Sequence, residues 1–100
     1  MIIYEVNLTA EKSIENEFRL WLKQHLNDML NTGYFNDAII YELESEQEDA
    51  KIQLTSHYKV ESRARLEEYF KNKADEMRAD GIKRFSNQFT ATRRILLPPP

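Results

Sequence analysis

The sequence predicts one α+β domain of element order βαββαβ, a four-stranded antiparallel sheet with both helices on one face. Three observations predict it. Apolar residues alternate at period two in four short runs. Between the first and second run, and again between the third and fourth, the period changes to three and four residues, the stripe of an amphipathic helix. The two glycines both stand at expected helix ends, and the three prolines all lie beyond the last strand, where they interrupt no ladder.

The elements follow in order. In "IIYEVNL", Ile2, Tyr4, Val6 and Leu8 share one face, and Ile3, Glu5 and Asn7 the other. From Ser13, an expected N-cap, the residues Ile14, Phe18, Trp21, Leu22, His25, Leu26, Met29 and Leu30 form one helical stripe. Gly33 is the expected residue just past that helix. Residues 35–60 read as two strands. Ile39, Tyr41 and Leu43 are expected on the helix-covered face of the first; Ile52, Leu54, Ser56, Tyr58 and Val60 on that of the second. An acidic tip, "ESEQED", joins them. A second helix begins near Ser62, carries Leu66, Tyr69, Phe70, Ala74 and Met77 on its stripe, and is expected to end at Gly81, with "IKRF" as a further short turn. Trp21 and Phe70 are expected to be the innermost helix residues. Phe89–Leu97 is the last strand. Two right-handed crossovers then place the first and third strands at the centre, with the last beside the first. Residues 1–97 form the domain, and 98–100 a proline tail.

Alternation also defines the opposite face of the sheet: Ile3, Glu5 and Asn7; Ala38, Ile40 and Glu42; Gln53, Thr55, His57 and Lys59; Thr90, Thr92, Arg94 and Leu96. The adjacent arginines of "TRRIL" therefore point in opposite directions unless a bulge swaps them. Arg94 joins the polar face. Arg93 falls near the helix-covered face, an awkward place for a charge. The polar face admits three readings: plain solvation, a lining between two subunits, or a ligand site. Composition by itself favours solvation.

One hundred residues make one domain, and a sheet of this size often needs a partner to cover its second face. The net charge of −3 argues against a nucleic-acid or anionic-membrane partner, because both require a basic surface. The chain has no cysteine, which removes disulfides, thiol nucleophiles and thiolate metal sites. Its first residues carry no basic leader, and Glu5 breaks the apolar run, so a cytoplasmic protein is expected.

Chemistry-bearing patterns are few. His25, on a helical apolar stripe, reads as a core or edge histidine bonded to a neighbour. His57 shares the polar face with Gln53 and Thr55; a structural or interface role is favoured over general-base work. No HxH or HExxH spacing is present, and the acidic run Glu42, Glu44, Glu46, Glu48, Asp49 lacks the glycine of a calcium loop, so no metal is expected. There is no glycine-rich phosphate loop and no spacing that singles out a nucleophile; no cofactor is expected. Lys73 reads as a snorkelling side chain.

The spaced sets "EF..WL..HL..ML", "GYF..A", "HY..ES", "L..Y" and, most specifically, "MRADGIKRFSNQFTATRRIL" resemble a bacterial family, the domain-of-unknown-function 4286 family, over nearly the whole chain. That family is similar to the dimeric α+β barrel proteins, in which two ferredoxin-like sheets pack face to face around a shared interior. The resemblance implies a homodimer whose interior is lined or edged by Glu5, Asn7, Gln53, Thr55, His57, Thr92 and Arg94, with Glu5, Asn7, Thr55, His57 and Arg94 as candidate ligand-binding residues and the Arg94 guanidinium pairing bidentately with Glu5 on the neighbouring strand or with an anionic ligand. The family has no established catalytic residues to carry over. Two functions stay open: a small-molecule binding or interaction module, and a cofactor-independent monooxygenase-type enzyme acting on an aromatic substrate.

Overall fold

A computed structural model of the chain describes residues 1–45 and 51–100. The expected acidic tip falls largely on residues 46–50, outside the described residues. The elements are β1 (Ile2–Ala10), α1 (Glu15–Asn31), β2 (Asp37–Glu42), β3 (Ile52–Val60), α2 (Arg63–Asn72), α3 (Ala74–Phe85) and β4 (Phe89–Leu96). The four strands form one antiparallel sheet in the order β2-β3-β1-β4, so β1 and β3 are central and β4 lies beside β1, as the two crossovers predict. The fold is the ferredoxin-like α+β arrangement, with the helices on one face.

Local chemistry accounts for the helix ends, with two departures from expectation. Ser62 caps α2 as expected, its Oγ accepting the Arg65 N–H at 3.1 Å. Gly33 follows α1 with φ +85°, a backbone region open to glycine. Ser13, in contrast, is not a cap. It sits inside a 3-10 turn, Lys12–Ile14, that leads into α1 and buries Ile14. The second helix is divided at Lys73, whose φ of −134° leaves the helical region. Hydrogen bonding continues across the break: the Lys73 N–H donates to the Tyr69 carbonyl, and the Lys73 carbonyl accepts from Met77.

Gly81 is not a helix end. It lies buried inside α3, where a β-carbon would stand 2.9 Å from the Trp21 ring and 3.1 Å from Phe89. The residue is glycine because α3 crosses α1 and β4 too closely for a side chain. Nor are Trp21 and Phe70 innermost. Both are half-buried, and the enclosed helix residues are Phe18, Leu22 and Met29 on α1 with Leu66 and Tyr69 on α2. Under them, Tyr4 is the hub of an aromatic group, with Phe35, Tyr58, Tyr69 and Phe70 rings at 5.4–6.2 Å.

β2 is turned over relative to expectation. Its register pairs Ala38 with Tyr58, Ile40 with Ser56 and Glu42 with Leu54. Directly paired residues share a face, so Ala38, Ile40 and Glu42 face the helices. Ala38 and Ile40 pack on the core, and Glu42 reaches Arg19 on α1 at 2.6 Å. Ile39, Tyr41 and, by alternation, Leu43 then occupy the open face, 38%, 51% and 47% exposed. "AIIYEL" carries apolar residues in both phases, and a shift of one residue exchanges the faces. β4 keeps the expected phase: Phe89, Ala91, Arg93 and Ile95 lie opposite helix-facing residues of β1, and Thr90, Thr92, Arg94 and Leu96 opposite the other set.

Two substitutions test this packing. Phe18→Ala is expected to lower unfolding free energy by about 3–5 kcal/mol, and Trp21→Ala by clearly less, because only Phe18 is enclosed. Gly81→Ala is expected to destabilise, although alanine improves helix propensity by about 1 kcal/mol, because overpacking against Trp21 and Phe89 costs about 1–3 kcal/mol. Urea unfolding reads both; a stabilised Gly81→Ala protein refutes the close approach.

Candidate functional site

Four of the five residues singled out from sequence converge on the open face of the sheet. Glu5 on β1 lies between His57 on β3 and Arg94 on β4, its paired neighbours on either side. The Asn7 amide donates to Glu5 Oε1 at 2.7 Å, and Arg94 Nε donates to the same oxygen at 2.7 Å. Arg94 Nη2 is also 2.7 Å from Oε1, so the guanidinium fork grips one oxygen rather than spanning both. His57 Nε2 meets the other oxygen, Oε2, at 3.1 Å. An ionised carboxylate only accepts, so Nε2 carries the hydrogen in this bond. The Glu5 side chain is 5% exposed and that of Arg94 67%. Burial pushes the Glu5 carboxyl up, but the Asn7 hydrogen bond, the Arg94 hydrogen bond and charge, and the His57 charge together hold it below the usual carboxylate range. Thr55 lies on the same face, with its Oγ1 buried and unpartnered, but is not part of this cluster. Tyr41 stands edge-on to His57, ring centroids 5.5 Å apart.

Chemically the cluster is closed. Both Glu5 oxygens are committed to neighbours on the same sheet. This is the pattern of a structural charge group prepared for burial, not of a receptor with free valences.

A second location has the opposite character. Between α1, α3 and the β1–β4 half of the sheet lies a cleft of about 230 Å³. Its walls are mostly apolar: Val6, Leu8, Leu22, Met29, Met77 and Ala91 among others. Trp21 and His25 stack along one side, ring centroids 4.6 Å apart, and Trp21 Nε1 donates to Asp80 at 3.1 Å. The cationic groups of the lining are Arg78 on α3 and Arg93 on β4, and no aspartate or glutamate lines it among the described residues. Arg78 Nη2 donates to the Tyr4 hydroxyl at 3.2 Å, while its Nε is buried without a partner. His25 Nδ1 is likewise buried and unpartnered, 3.9 Å from the Asp80 carboxylate and so beyond hydrogen-bond reach. Burial pushes the His25 pKa down, only partly offset by Asp80 and Asp28, so the imidazole is neutral at neutral pH. Burial pushes the Tyr58 and Tyr69 phenols up, keeping both protonated. Ser86, at the cleft rim, holds φ +54° with ψ −128°, a strained conformation for a residue with a β-carbon. Among the described residues no group of three histidine, aspartate or glutamate side chains is arranged to hold a metal ion, and no helix is long and apolar enough to cross a membrane.

The cleft was not legible as a site in the sequence. One signal pointed toward it: Arg93, a charge at a helix-facing strand position. It lies within β4 opposite Val6, has no ion pair among the described residues, and lines the cleft. Arg78 lies one residue from the apolar stripe and gives no such signal.

At neutral pH, Arg94→Ala is expected to cost about 1–2 kcal/mol, the value of a charged hydrogen bond reduced by exposure, and Arg93→Ala less than about 1 kcal/mol. Equal effects would mean that Arg94 does not support Glu5. The folded Glu5 pKa is depressed, so its contribution is fully present above the unfolded value, about 4.3, and is lost as pH falls through the lower folded value. Acid titration of stability is therefore expected to be shallower for Glu5→Gln than for the unaltered chain between the unfolded value and the lower folded one, and parallel to it below both. Superimposable profiles would contradict the linkage.

Among curated proteins, none matches the chain. A crystal structure of a dimeric ferredoxin-like protein from an uncultured marine organism is similar, with TM-score 0.54 and 10% identity, covering 99% of this chain and 98% of that one. At that identity the likeness is one of fold. The family model for the domain of unknown function 4286 matches residues 1–98, end to end through all four strands, and the chain belongs to that family.

Proposed function

We propose that the protein is a homodimeric small-molecule-binding module, with the open sheet face as its interface and the helix–sheet cleft of each chain as its ligand site. The observation that carries the ligand reading is the cleft itself: about 230 Å³, mostly apolar, and lined by two residues, Arg78 and His25, that each keep a buried side-chain nitrogen without a partner. Such groups are costly unless something pairs with them, and a mostly apolar pocket with a few convergent polar atoms is the usual form of a small-molecule site. This moves the expected ligand site from Glu5, Asn7, Thr55, His57 and Arg94 to the other side of the sheet.

The interface reading is supported by the open face. Ile39, Tyr41 and Leu43 are exposed there beside Ile3 and Leu96, around a polar group whose charges are already matched. Aromatic and aliphatic side chains around a matched charge group suit the core of an interface, with the exposed Asp37 and Lys59 at one end of the face as its rim. The similar solved structure is described as dimeric.

Light scattering at micromolar concentration is expected to give twice the mass of one chain. The pair Ile39→Asp and Tyr41→Lys is expected to give a folded monomer by circular dichroism and scattering; a monomeric unaltered protein removes the interface reading. Ligand-observed NMR with a library of one- and two-ring compounds tests the cleft. Binders are expected to lose at least tenfold in affinity with Ala91→Phe, which fills the cleft from β4, and to be unaffected by Tyr41→Lys. Binders insensitive to Ala91→Phe place the site elsewhere.

A further inference from the structure

We infer that the cleft selects an organic monoanion: a one- or two-ring apolar body carrying one carboxylate, with the carboxylate held between Arg78 and Arg93. This deepens the proposed function and rests on the cleft being the ligand site. Charge is the first argument. Two guanidinium groups line the cleft from opposite walls, α3 and β4, and no acidic side chain lines it among the described residues. Asp80, near its rim, already accepts from Trp21. Among the described residues neither arginine has an ion pair, and nor does Arg84, whereas Arg19, Arg63, Arg65 and Arg94 each do.

The second argument is position. Arg93 is carried on the helix-facing side of β4, directly opposite Val6, where an uncharged residue would pack equally well. Arg78 spends one nitrogen on the Tyr4 hydroxyl, which fixes the guanidinium plane, and keeps Nε buried with nothing to donate to. A guanidinium oriented by one bond, with a second donor free, is arranged for a planar oxyanion; carboxylate matches that fork.

The third is size and lining. A cavity of about 150 Å³ suffices for benzene, so about 230 Å³ admits one or two rings with a small substituent. Trp21, His25, Tyr4 and Phe89 supply ring faces and edges. The neutral His25 adds one short-range hydrogen bond without a competing charge.

The test uses 2-naphthoate, its uncharged isostere 2-naphthamide, and inorganic phosphate, titrated calorimetrically into the full chain at fixed ionic strength. Naphthoate is expected to bind at least tenfold more tightly than naphthamide. Arg93→Gln, an exposed position that leaves the core intact, is expected to remove most of that preference while changing naphthamide affinity less than twofold; Arg78→Gln is expected to do the same. Equal binding of acid and amide overturns the anion selectivity while leaving the cleft as an apolar site. A preference that survives both substitutions overturns the assignment to these arginines. Phosphate competing as strongly as naphthoate reduces the site to a simple oxyanion site and overturns the monoanion reading. If neither naphthalene compound binds, the cleft reading falls and this inference falls with it.

Discussion

Strand β1 is paired along its length on both sides, with β3 and with β4, and nearly everything else in the molecule follows from those two registers. Because side chains alternate, each register sends one set of residues to each face at once. Tyr4, Leu8, Tyr58 and Ile95 are delivered under the helices, and Glu5, Asn7, His57 and Arg94 to the other side. A slip of one residue in either ladder would bury Glu5 in the aromatic core and expose Tyr4. The cost of that exchange, a buried unpaired carboxylate together with an exposed hub of the core, is what holds the registers. The Glu5 cluster is thus a marker of register as well as a charge group: it is satisfied only when β1 sits between His57 and Arg94 as observed.

The same pairing explains why the two faces differ in kind. On the open face, Glu5, Asn7, His57 and Arg94 stand beside one another on adjacent strands and satisfy each other within the sheet, while Thr55 Oγ1 stays unpartnered. On the covered face, partners must come from the helices, and helices cannot match every position. Where α3 packs over α1 and β4, glycine at 81 makes room for the Trp21 and Phe89 rings, and the short side chain of Ala91 fills little of the space below. The result is a cleft rather than a closed core. The groups left around it, Arg78, Arg93 and His25, are those that no neighbouring element completes. Unmet polar capacity beside apolar walls is a different situation from the matched charges of the Glu5 cluster, and it is why the proposed ligand site lies on the helix side and the proposed interface on the open side.

Such a division has a mechanical consequence. The two faces share β1 and β4, so Arg93 and Arg94, adjacent in sequence, belong to opposite surfaces. A change in how tightly the open face is held would be felt at Arg94 and, through one peptide unit, at Arg93. The fold therefore places the proposed assembly face and the proposed ligand cleft on neighbouring residues.

By itself the sequence determined the element order and the phase of β1 and β3; the strand order came with the crossover rule, and the phase of β4 and the Glu5–Arg94 pair stood as expectations that the registers decided. The element order and those two phases rest on a local period or on a residue type allowed in few places: alternation in "IIYEVNL", the three-four stripe of α1, prolines only after the last strand. Glycine misled once, because Gly33 and Gly81 look alike in a string, and only the crossing of α3 with α1 and β4 separates a residue chosen for its φ from one chosen for its lack of a side chain. The phase of β2 was also out of reach. Apolar residues occupy both of its faces, and periodicity cannot rank them; the ladder to β3 and the Arg19–Glu42 contact decided it. The cleft was the least legible feature of all. It is a volume left between three elements distant in sequence, bounded by residues that each look like ordinary core or surface, and a volume is not a property of any residue until the chain has packed.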